Sequence, residues 1–249
     1  MDEWVLAFDT ATDRCALALG ALTAHGVSVD TVADLDAPRA ALGRLLPAIE
    51  SLLATRDLAP TSLAEIVVGC GPGSFTGVRI GVATAKGLAH GLGVPLFGVG
   101  TLDAVAWGCA AHTQGLLGVV GDAMRGEVYP ALFRLTEGRA ERLTPDTVMR
   151  PERLAGEWSA IDEPLMLAGD GLHKYGATLL EALAETRVDA RALPVDSWPP
   201  GGAGLLAAYG AARAAGSVGD GDPATLLPIY TRLSDAEEAE AARTKQGGR

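Results

Sequence analysis

Gly69-Cys70-Gly71-Pro72-Gly73-Ser74-Phe75-Thr76-Gly77-Val78-Arg79-Ile80-Gly81 is the stretch on which the reading of this chain turns. It leaves an apolar run, Ile66–Val68, that reads as a buried strand. It then turns through alternate glycines and a proline and enters a segment studded with small residues. Glycines in such a turn let the backbone approach something closely, because they carry no Cβ and tolerate positive φ. That something is either a phosphate or a helix. Free N–H groups at a helix N-terminus suit a phosphate. The spacing nevertheless departs from both nucleotide templates: Thr76 stands where the dinucleotide pattern needs a third glycine, and Val78-Arg79 follow Gly77 where a P-loop needs Lys and Ser or Thr. From Phe75 to Gly91 small residues recur four apart at Gly77, Gly81, Ala85 and Ala89, a row that leaves a groove for close helix packing. Val78, Ile80, Val82 and Leu88 spread apolar surface over the rest, so this helix is expected to be covered on several sides. The covering is either its own domain or a second molecule, and the sequence leaves both open.

The rest of the chain bounds the class. With 249 residues and 48% hydrophobic content, a sizeable core needs no metal or disulfide. Cys15, Cys70 and Cys109 are widely spaced and odd in number, which suits buried reduced thiols in a cytosolic protein. The acidic start Met1-Asp2-Glu3-Trp4 is unlike a signal peptide, and no apolar run reaches membrane-spanning length. These features point to a cytoplasmic location. A net charge of −11 without a basic run predicts weak binding of nucleic acid by this chain alone.

Val5–Thr10, Cys15–Gly20 and Val27–Val32 read as an antiparallel meander. Pro38–Ala54 reads as a helix with Asp36 as its cap and Pro47 inside it. Ser62-Leu63-Ala64-Glu65 has capping-box spacing before the strand Ile66–Val68. Val94–Val99 is another strand, and Thr101 is expected to cap a helix to about Ala111. The order then repeats loosely: a hairpin from Leu116–Gly121 and Glu127–Leu135, a loop-rich stretch, a strand Leu165–Ala168, and helices Leu172–Thr186 and Leu205–Ala215. Ala224–Tyr230 is a short apolar segment. This pattern predicts an α/β chain of two lobes, residues 1–104 and 105–232, with a charged tail at 233–249.

Catalytic groups are hard to assemble. His25, His90, His112 and His173 include no pair four residues apart, so no helix offers a two-histidine metal face. Ser74 lacks the Gly-x-Ser-x-Gly elbow. Asp9 and Asp122, one per lobe, are where a cleft-bound nucleotide and its magnesium would need carboxylates, and Gly169-Asp170-Gly171 could touch a nucleoside. Each is equally an ordinary turn former.

Several motifs together resemble the bacterial TsaB (YeaZ) family: Leu6-Ala7-Phe8-Asp9-Thr10-Ala11-Thr12, the Gly71–Gly81 run, Gly98-Val99-Gly100-Thr101-Leu102, Asp122-Ala123-Met124-Arg125-Gly126-Glu127-Val128-Tyr129, and Pro228-Ile229-Tyr230-Thr231-Arg232. The resemblance runs from residue 4 to about 232. It implies the two-lobed fold of the actin, sugar-kinase and Hsp70 superfamily, each lobe a mixed β-sheet with flanking helices. It also implies a role in making threonylcarbamoyladenosine beside the tRNA anticodon. In that role the chain would be a non-catalytic subunit without cofactor or metal, paired with TsaD, which transfers the threonylcarbamoyl group. TsaE joins the assembled complex, and tRNA is bound only through it. Two departures stand out. Asp36-Ala37-Pro38-Arg39-Ala40 lacks the family's histidine before the first long helix, and the first hairpin turn has no glycine to admit β- and γ-phosphates closely. An independent kinase or peptidase, or a metabolite-binding module, are the other classes this fold allows.

Together these readings set the expected sites. Pro38–Ala54 and Phe75–Gly91 should form one face of the first lobe and meet the equivalent helices of TsaD, or of a second copy when the chain is alone. Leu45, Leu52, Gly77, Val78, Gly81 and Ala85 are the expected contacts. Asp9, Thr10, Asp122, Gly169 and Asp170 would line any weak nucleotide cleft.

Overall fold

The computed structural model describes residues 3–36, 41–198 and 200–231. The first sheet contains β1 (Trp4–Asp9), β2 (Arg14–Thr23), β3 (Gly26–Asp36), β4 (Leu63–Gly69) and β5 (Leu96–Val99), in the order β3-β2-β1-β4-β5. The meander pairs antiparallel, with Phe8 opposite Leu17 and Leu17 opposite Ala33. β4 and β5 join parallel to β1 through the crossover helices α1 (Ala41–Ala54) and α2 (Phe75–Leu92). Side chains alternate across the strands, as period-two geometry demands. Leu6, Phe8, Leu17, Leu19, Ile66 and Val68 pack under α1 and α2, while Val5, Ala7, Ala18 and Val67 face the opposite side. Each fully buried Leu or Phe contributes about 1.5–3 kcal/mol.

The second half repeats the pattern. α3 (Thr101–Ala110) leads into β6 (Gly115–Asp122), β7 (Val128–Thr136) and β8 (Arg139–Arg142); α4 (Pro151–Trp158), β9 (Leu165–Ala168), α5 (Leu172–Glu185), β10 (Ala190–Ala192) and α6 (Gly202–Ala214) follow. The sheet order is β10-β9-β6-β7-β8. β6 is central, like β1; β7 and β8 continue antiparallel, and β9 and β10 return parallel. Two sheets with the same connection rule, each with flanking helices, make the two-lobed actin/sugar-kinase/Hsp70 architecture. The stretch read as loop-rich holds β8 and α4. Glu137-Gly138, both at positive φ, form the tight turn into β8.

The lobes are not divided where the sequence suggested. Residue 104 falls inside α3, which bridges them: Leu102, Val105, Ala106 and Cys109 pack on the second sheet, while Ala104 meets α6 and the first. Nor does the second lobe run to 232. α6 lies on the first sheet, with Leu205, Leu206 and Tyr209 against Val5, Ala7, Ala18 and Val67. The chain beyond it stays there, since Gly221 C=O accepts from Leu96 N–H (2.9 Å) and Ile229 N–H donates to Cys70 C=O (2.8 Å). The expected tail at 233–249 and Arg39 lie outside the described residues.

The contact residues expected for a partner need correction. α1 and α2 do share one face of the first lobe, but Leu45, Leu52, Val78, Gly81 and Ala85 are buried against their own sheet. A Cβ on Gly77 would stand 2.0 Å from the Thr10 carbonyl oxygen, and one on Gly81 would stand 2.4 Å from Thr10 Oγ1. The row Gly77–Gly81–Ala85–Ala89 therefore admits β1 and β4 of the same molecule. Two smaller expectations also shift. Glu65 lies in β4 and accepts from Tyr209 and Arg213 instead of closing a capping box. α3 is capped by Gly100 without a side-chain bond, because the Thr101 hydroxyl is used elsewhere.

Candidate functional site

The ends of β1, β4 and β5 converge on Asp9, which is fully buried. Its Oδ1 accepts from Ala11 N–H (2.7 Å) and its Oδ2 from the Thr101 hydroxyl (2.7 Å). Thr101 Oγ1 in turn accepts from Gly71 N–H (3.1 Å), and Thr101 N–H donates to Gly71 C=O (2.8 Å). Burial pushes the Asp9 carboxyl above its ordinary range, against the two hydrogen bonds that favour the charged form. Gly69 gives this carboxylate its place, since a Cβ there would fall 2.0 Å from Oδ2. Thr10 donates its hydroxyl to Gly77 C=O (2.7 Å), and Ser74 N–H donates to Ala11 C=O (2.6 Å). Ser74 Oγ accepts from Gly77 N–H (3.2 Å) and caps α2. The glycine-rich turn is thus filled by the chain's own β1–β2 loop.

The second lobe brings Asp122 and Asp170 together. Asp122 N–H donates to Asp170 Oδ1 (3.0 Å), Met124 N–H donates to Asp122 Oδ1 (2.9 Å), and Lys174 pairs with Asp122 Oδ2. Burial pushes the Asp170 carboxyl up to about 6, with the charges of Asp122 and Asp13 adding to it. Gly169 holds positive φ (114°) so that the chain can pass Val120 C=O. The cavity between Thr12, Gly73, Thr101, Gly121 and Asp170 has a volume of about 10 Å³, room for one water. Of the residues expected to line a nucleotide cleft, Asp122, Gly169 and Asp170 border this cavity while Asp9 and Thr10 do not, and each polar side chain among the five is already engaged. Reasoning from sequence missed Thr101 and Lys174. Thr101 read as a helix cap, and Lys174 gave no signal beyond its place one turn after Gly169-Asp170-Gly171.

Other candidate groups are equally committed. Among the described residues no three His, Cys, Asp or Glu side chains gather to hold a metal. His173 stacks on Trp198 with ring centroids 4.8 Å apart. Burial pushes the Cys15 and Cys70 thiols up to about 12 and Cys109 to about 11, so all three stay protonated and unreactive. No helix among the described residues is long and apolar enough to cross a membrane.

The outer surface of α1 and α2 differs in kind. Gly43, Leu46 and Pro47 on α1 and Ala83, Gly87 and Gly91 on α2 are exposed, Leu46 to 49%. A Cβ on Gly43, Gly87 or Gly91 would meet nothing within 4 Å. Ala83, Gly87 and Gly91 are a second row of small residues four apart, on the opposite side of α2 from the buried row. At the start of α2, the Arg79 guanidinium sits 3.7 Å above the Phe75 ring and its Nε donates to Tyr230 Oη (2.9 Å). Ile229 and Tyr230 therefore clamp the glycine-rich turn and the start of α2.

Residues 35–188 match the family model described as TsaD: tRNA N6-adenosine threonylcarbamoyltransferase. The tRNA threonylcarbamoyladenosine biosynthesis protein TsaB of Bacillus subtilis is 33% identical over 198 residues, covering 78% of this chain and 80% of that one. The chain belongs to the TsaB family. The Escherichia coli TsaB protein is 38% identical over 170 residues, 63% of this chain and 70% of its own. Among solved structures, YeaZ from Pseudomonas aeruginosa superposes with a TM-score of 0.74 at 30% identity, over 92% of this chain and 99% of that one.

Proposed function

We propose that this chain serves tRNA threonylcarbamoyladenosine biosynthesis as a non-catalytic subunit. It pairs with TsaD, the threonylcarbamoyltransferase, and TsaE joins the assembled pair. The observation that carries this reading is the contrast between a filled cleft and an open helical face. Asp9, Asp122 and Asp170 are each bound to groups of the chain itself, and the cavity beside Asp122 and Asp170 holds about 10 Å³. The outer face of α1 and α2 instead leaves Leu46, Phe75 and a row of small residues exposed. Exposed apolar and small residues gathered on one helix pair support an association site there. Small residues let a second helix pair approach closely, which gains dispersion contacts along its length. TsaD, whose family model this chain matches, offers the same fold and hence an equivalent pair. In the absence of TsaD the same face takes a second copy. Peptidase chemistry is disfavoured because Ser74 Oγ caps α2 and His173 stacks on Trp198. With a net charge of −11, tRNA is held through the complex.

Co-expression with TsaD of the same organism tests the reading. A stable heterodimer on a sizing column, with threonylcarbamoyladenosine formed only when both proteins and TsaE are supplied, is the expected result. Full modification by TsaD and TsaE without this chain would sink it, as would robust ATP turnover by the pure chain that Asp9→Ala abolishes.

A further inference from the structure

A cavity of about 430 Å³ opens on the side of the first sheet away from α1 and α2, between β5, α3, α6 and the β7–β8 turn. Its volume suits a small-molecule ligand. One wall is an unpaired strand edge. Pro95 and Val99 C=O accept from Ile66 and Cys70 N–H of β4, so by the pleat the N–H and C=O of Gly98 point away from β4. Gly98 is exposed there. The edge already accepts an added segment one step earlier, where Leu96 N–H donates to Gly221 C=O (2.9 Å). The floor is apolar: Phe97 and Tyr209 lie with ring centroids 5.0 Å apart, beside Trp107 and the small face of α6 around Ala212.

The lining carries both signs of charge. On α3, Asp103 accepts from Arg142 Nε (3.0 Å) and Nη2 (2.7 Å) and is thereby fixed in place. Arg142 also donates to Asp146 (3.1 Å), so this trio carries one net negative charge at neutral pH. Arg139, the first residue of β8, also lines the cavity, exposed and with no ion pair to any described residue. A carboxylate, a guanidinium, a free strand edge and an apolar floor in one cavity match one ligand chemistry.

We infer that this cavity binds a short free peptide in extended form. Its main chain continues the β5 edge at Gly98, its ammonium end meets Asp103 and its carboxylate end meets Arg139. Roughly three residues, ~10 Å when extended, are the ligand size taken for a cavity of about 430 Å³. Strand addition supplies main-chain hydrogen bonds, and the charged ends fix the length of the ligand. The hydroxyls at the wall are committed: Ser217 donates to Ala212 C=O and Tyr209 to Glu65. The ligand is therefore held without being cleaved. Nothing in this inference depends on the pairing with TsaD.

The test is saturation-transfer NMR of the full chain with pooled tripeptides bearing free ends and varied side chains, followed by calorimetry on those that bind. At least one should bind with a Kd of roughly 0.1 mM and be recovered intact. Acetylating its amine or amidating its carboxylate should each weaken binding about tenfold, as should Arg139→Glu on the exposed turn. Ala212→Trp should fill the cavity and abolish binding. If Ala212→Trp lowers the melting temperature, Arg139→Glu alone decides. The inference is overturned if no tripeptide binds below ~5 mM. Equal affinity for capped peptides or single amino acids, or unchanged binding in Arg139→Glu, would overturn it as well.

Discussion

The two lobes share one topology and differ in what they show to the outside. Under α1 and α2, and under α4 and α5, the inner faces are equally apolar: Leu45, Ile49, Leu52 and Val78 in one lobe, Leu154, Leu172, Leu179 and Leu183 in the other. The outer faces diverge. α4 and α5 expose Glu152, Arg153, Glu157, Lys174, Glu181 and Glu185, an ordinary charged coat. α1 and α2 expose Gly43, Leu46, Pro47, Ala83 and Gly87 between the more widely spaced Arg44, Glu50, Arg79 and His90. The acids that end the central strands diverge too: Asp9 is sealed between Ala11 and Thr101, whereas Asp122 is paired with Lys174 at the surface. A duplicated fold thus separates two demands. What both lobes keep is needed to close a sheet against helices; what only one lobe has points to association.

The largest expected effect lies on the inner side of α2. Gly77→Val would drive a branched side chain into the Thr10 carbonyl, 2.0 Å from the new Cβ, with backbone on both sides and no flexible group to yield. Overpacking in a core costs about 1–3 kcal/mol and more where backbone must move, so a loss of at least ~3 kcal/mol is expected in urea denaturation. If Gly77→Val unfolds at the wild-type urea midpoint, the small row does not hold the sheet, and the inner and outer rows of α2 have been assigned the wrong way round.

The acids give the next effect: burial raises both, but replacing them should change stability in opposite directions. The folded-state value for Asp170 is about 6, against an ordinary 3.8. Below about pH 4 the carboxyl is neutral whether the chain is folded or not. As pH rises towards 6 it ionises first in the unfolded chain, so stability falls through this window by up to ~3 kcal/mol. Asp170→Asn keeps an acceptor for Asp122 N–H and removes the charge. It should flatten the pH 4–6 dependence and be the more stable protein at pH 7.5. Asp9→Asn should also flatten the pH dependence, since burial raises the Asp9 carboxyl too, but it should be the less stable protein at pH 7.5. Both Asp9 oxygens accept, and an amide would turn a donor towards Ala11 N–H or the Thr101 hydroxyl, costing about 1–3 kcal/mol. Thermal melts of both variants between pH 4 and 8 settle the signs, and a stabilised Asp9→Asn would erase the distinction between the two acids.

Much of this architecture is legible in the sequence. The apolar runs in Val5–Thr10 and Cys15–Gly20, the glycine-rich turn and the helical spacing of Leu45, Ile49 and Leu52 place most of the first sheet and its two helices. What escapes is phase and return. Between Phe75 and Gly91 two small rows run side by side, Gly77–Gly81–Ala85–Ala89 and Ala83–Gly87–Gly91, and no periodicity says which meets the sheet. Only the close approach of Thr10 decides it. The helix Gly202–Ala214 reads correctly as a helix, but alanine-rich surface packs on either lobe, and its return to the first sheet depends on long-range contacts. β8 and α4 are short and polar outside, with little apolar repeat to betray them. The Asp9–Thr101 bond joins residues 92 apart, and a threonine at a helix start looks like a cap before it looks like a ligand for a buried acid.

On the outer side of α2 the expected change is in binding. Gly87→Leu adds a side chain where nothing lies within 4 Å, so the monomer should keep its stability to within ~0.5 kcal/mol. Across an interface built on close approach the same side chain holds two helices apart. TsaD affinity should fall roughly thirtyfold, about 2 kcal/mol, read by calorimetry or co-elution. Gly156→Leu, at an equally open position on α4, is the control in the other lobe and should leave affinity unchanged. Equal effects at both positions would remove any reason to place the partner on α1 and α2.

The smallest expected effect comes from one methyl group. Gly87 and Gly156 both sit inside helices, are exposed, and would meet nothing within 4 Å if given a Cβ. Alanine is the better helix former by up to ~1 kcal/mol, because it restricts the unfolded chain more and shields the backbone. Both Gly→Ala variants should therefore raise the melting temperature, Gly87→Ala the more clearly since Gly156 lies near the end of a short helix. A chain under selection for folding alone would gain from alanine at both positions. If glycine is held at 87 because a partner helix passes close to it, Gly87→Ala should gain stability and lose a few-fold in TsaD affinity, while Gly156→Ala gains stability at no cost to binding. Folding and association then pull one residue in opposite directions in the first lobe and act on its counterpart without conflict in the second. Gly87→Ala with unaltered TsaD affinity would mean that the helices do not approach at this turn of α2, and the contact would have to move towards Leu46 and Phe75.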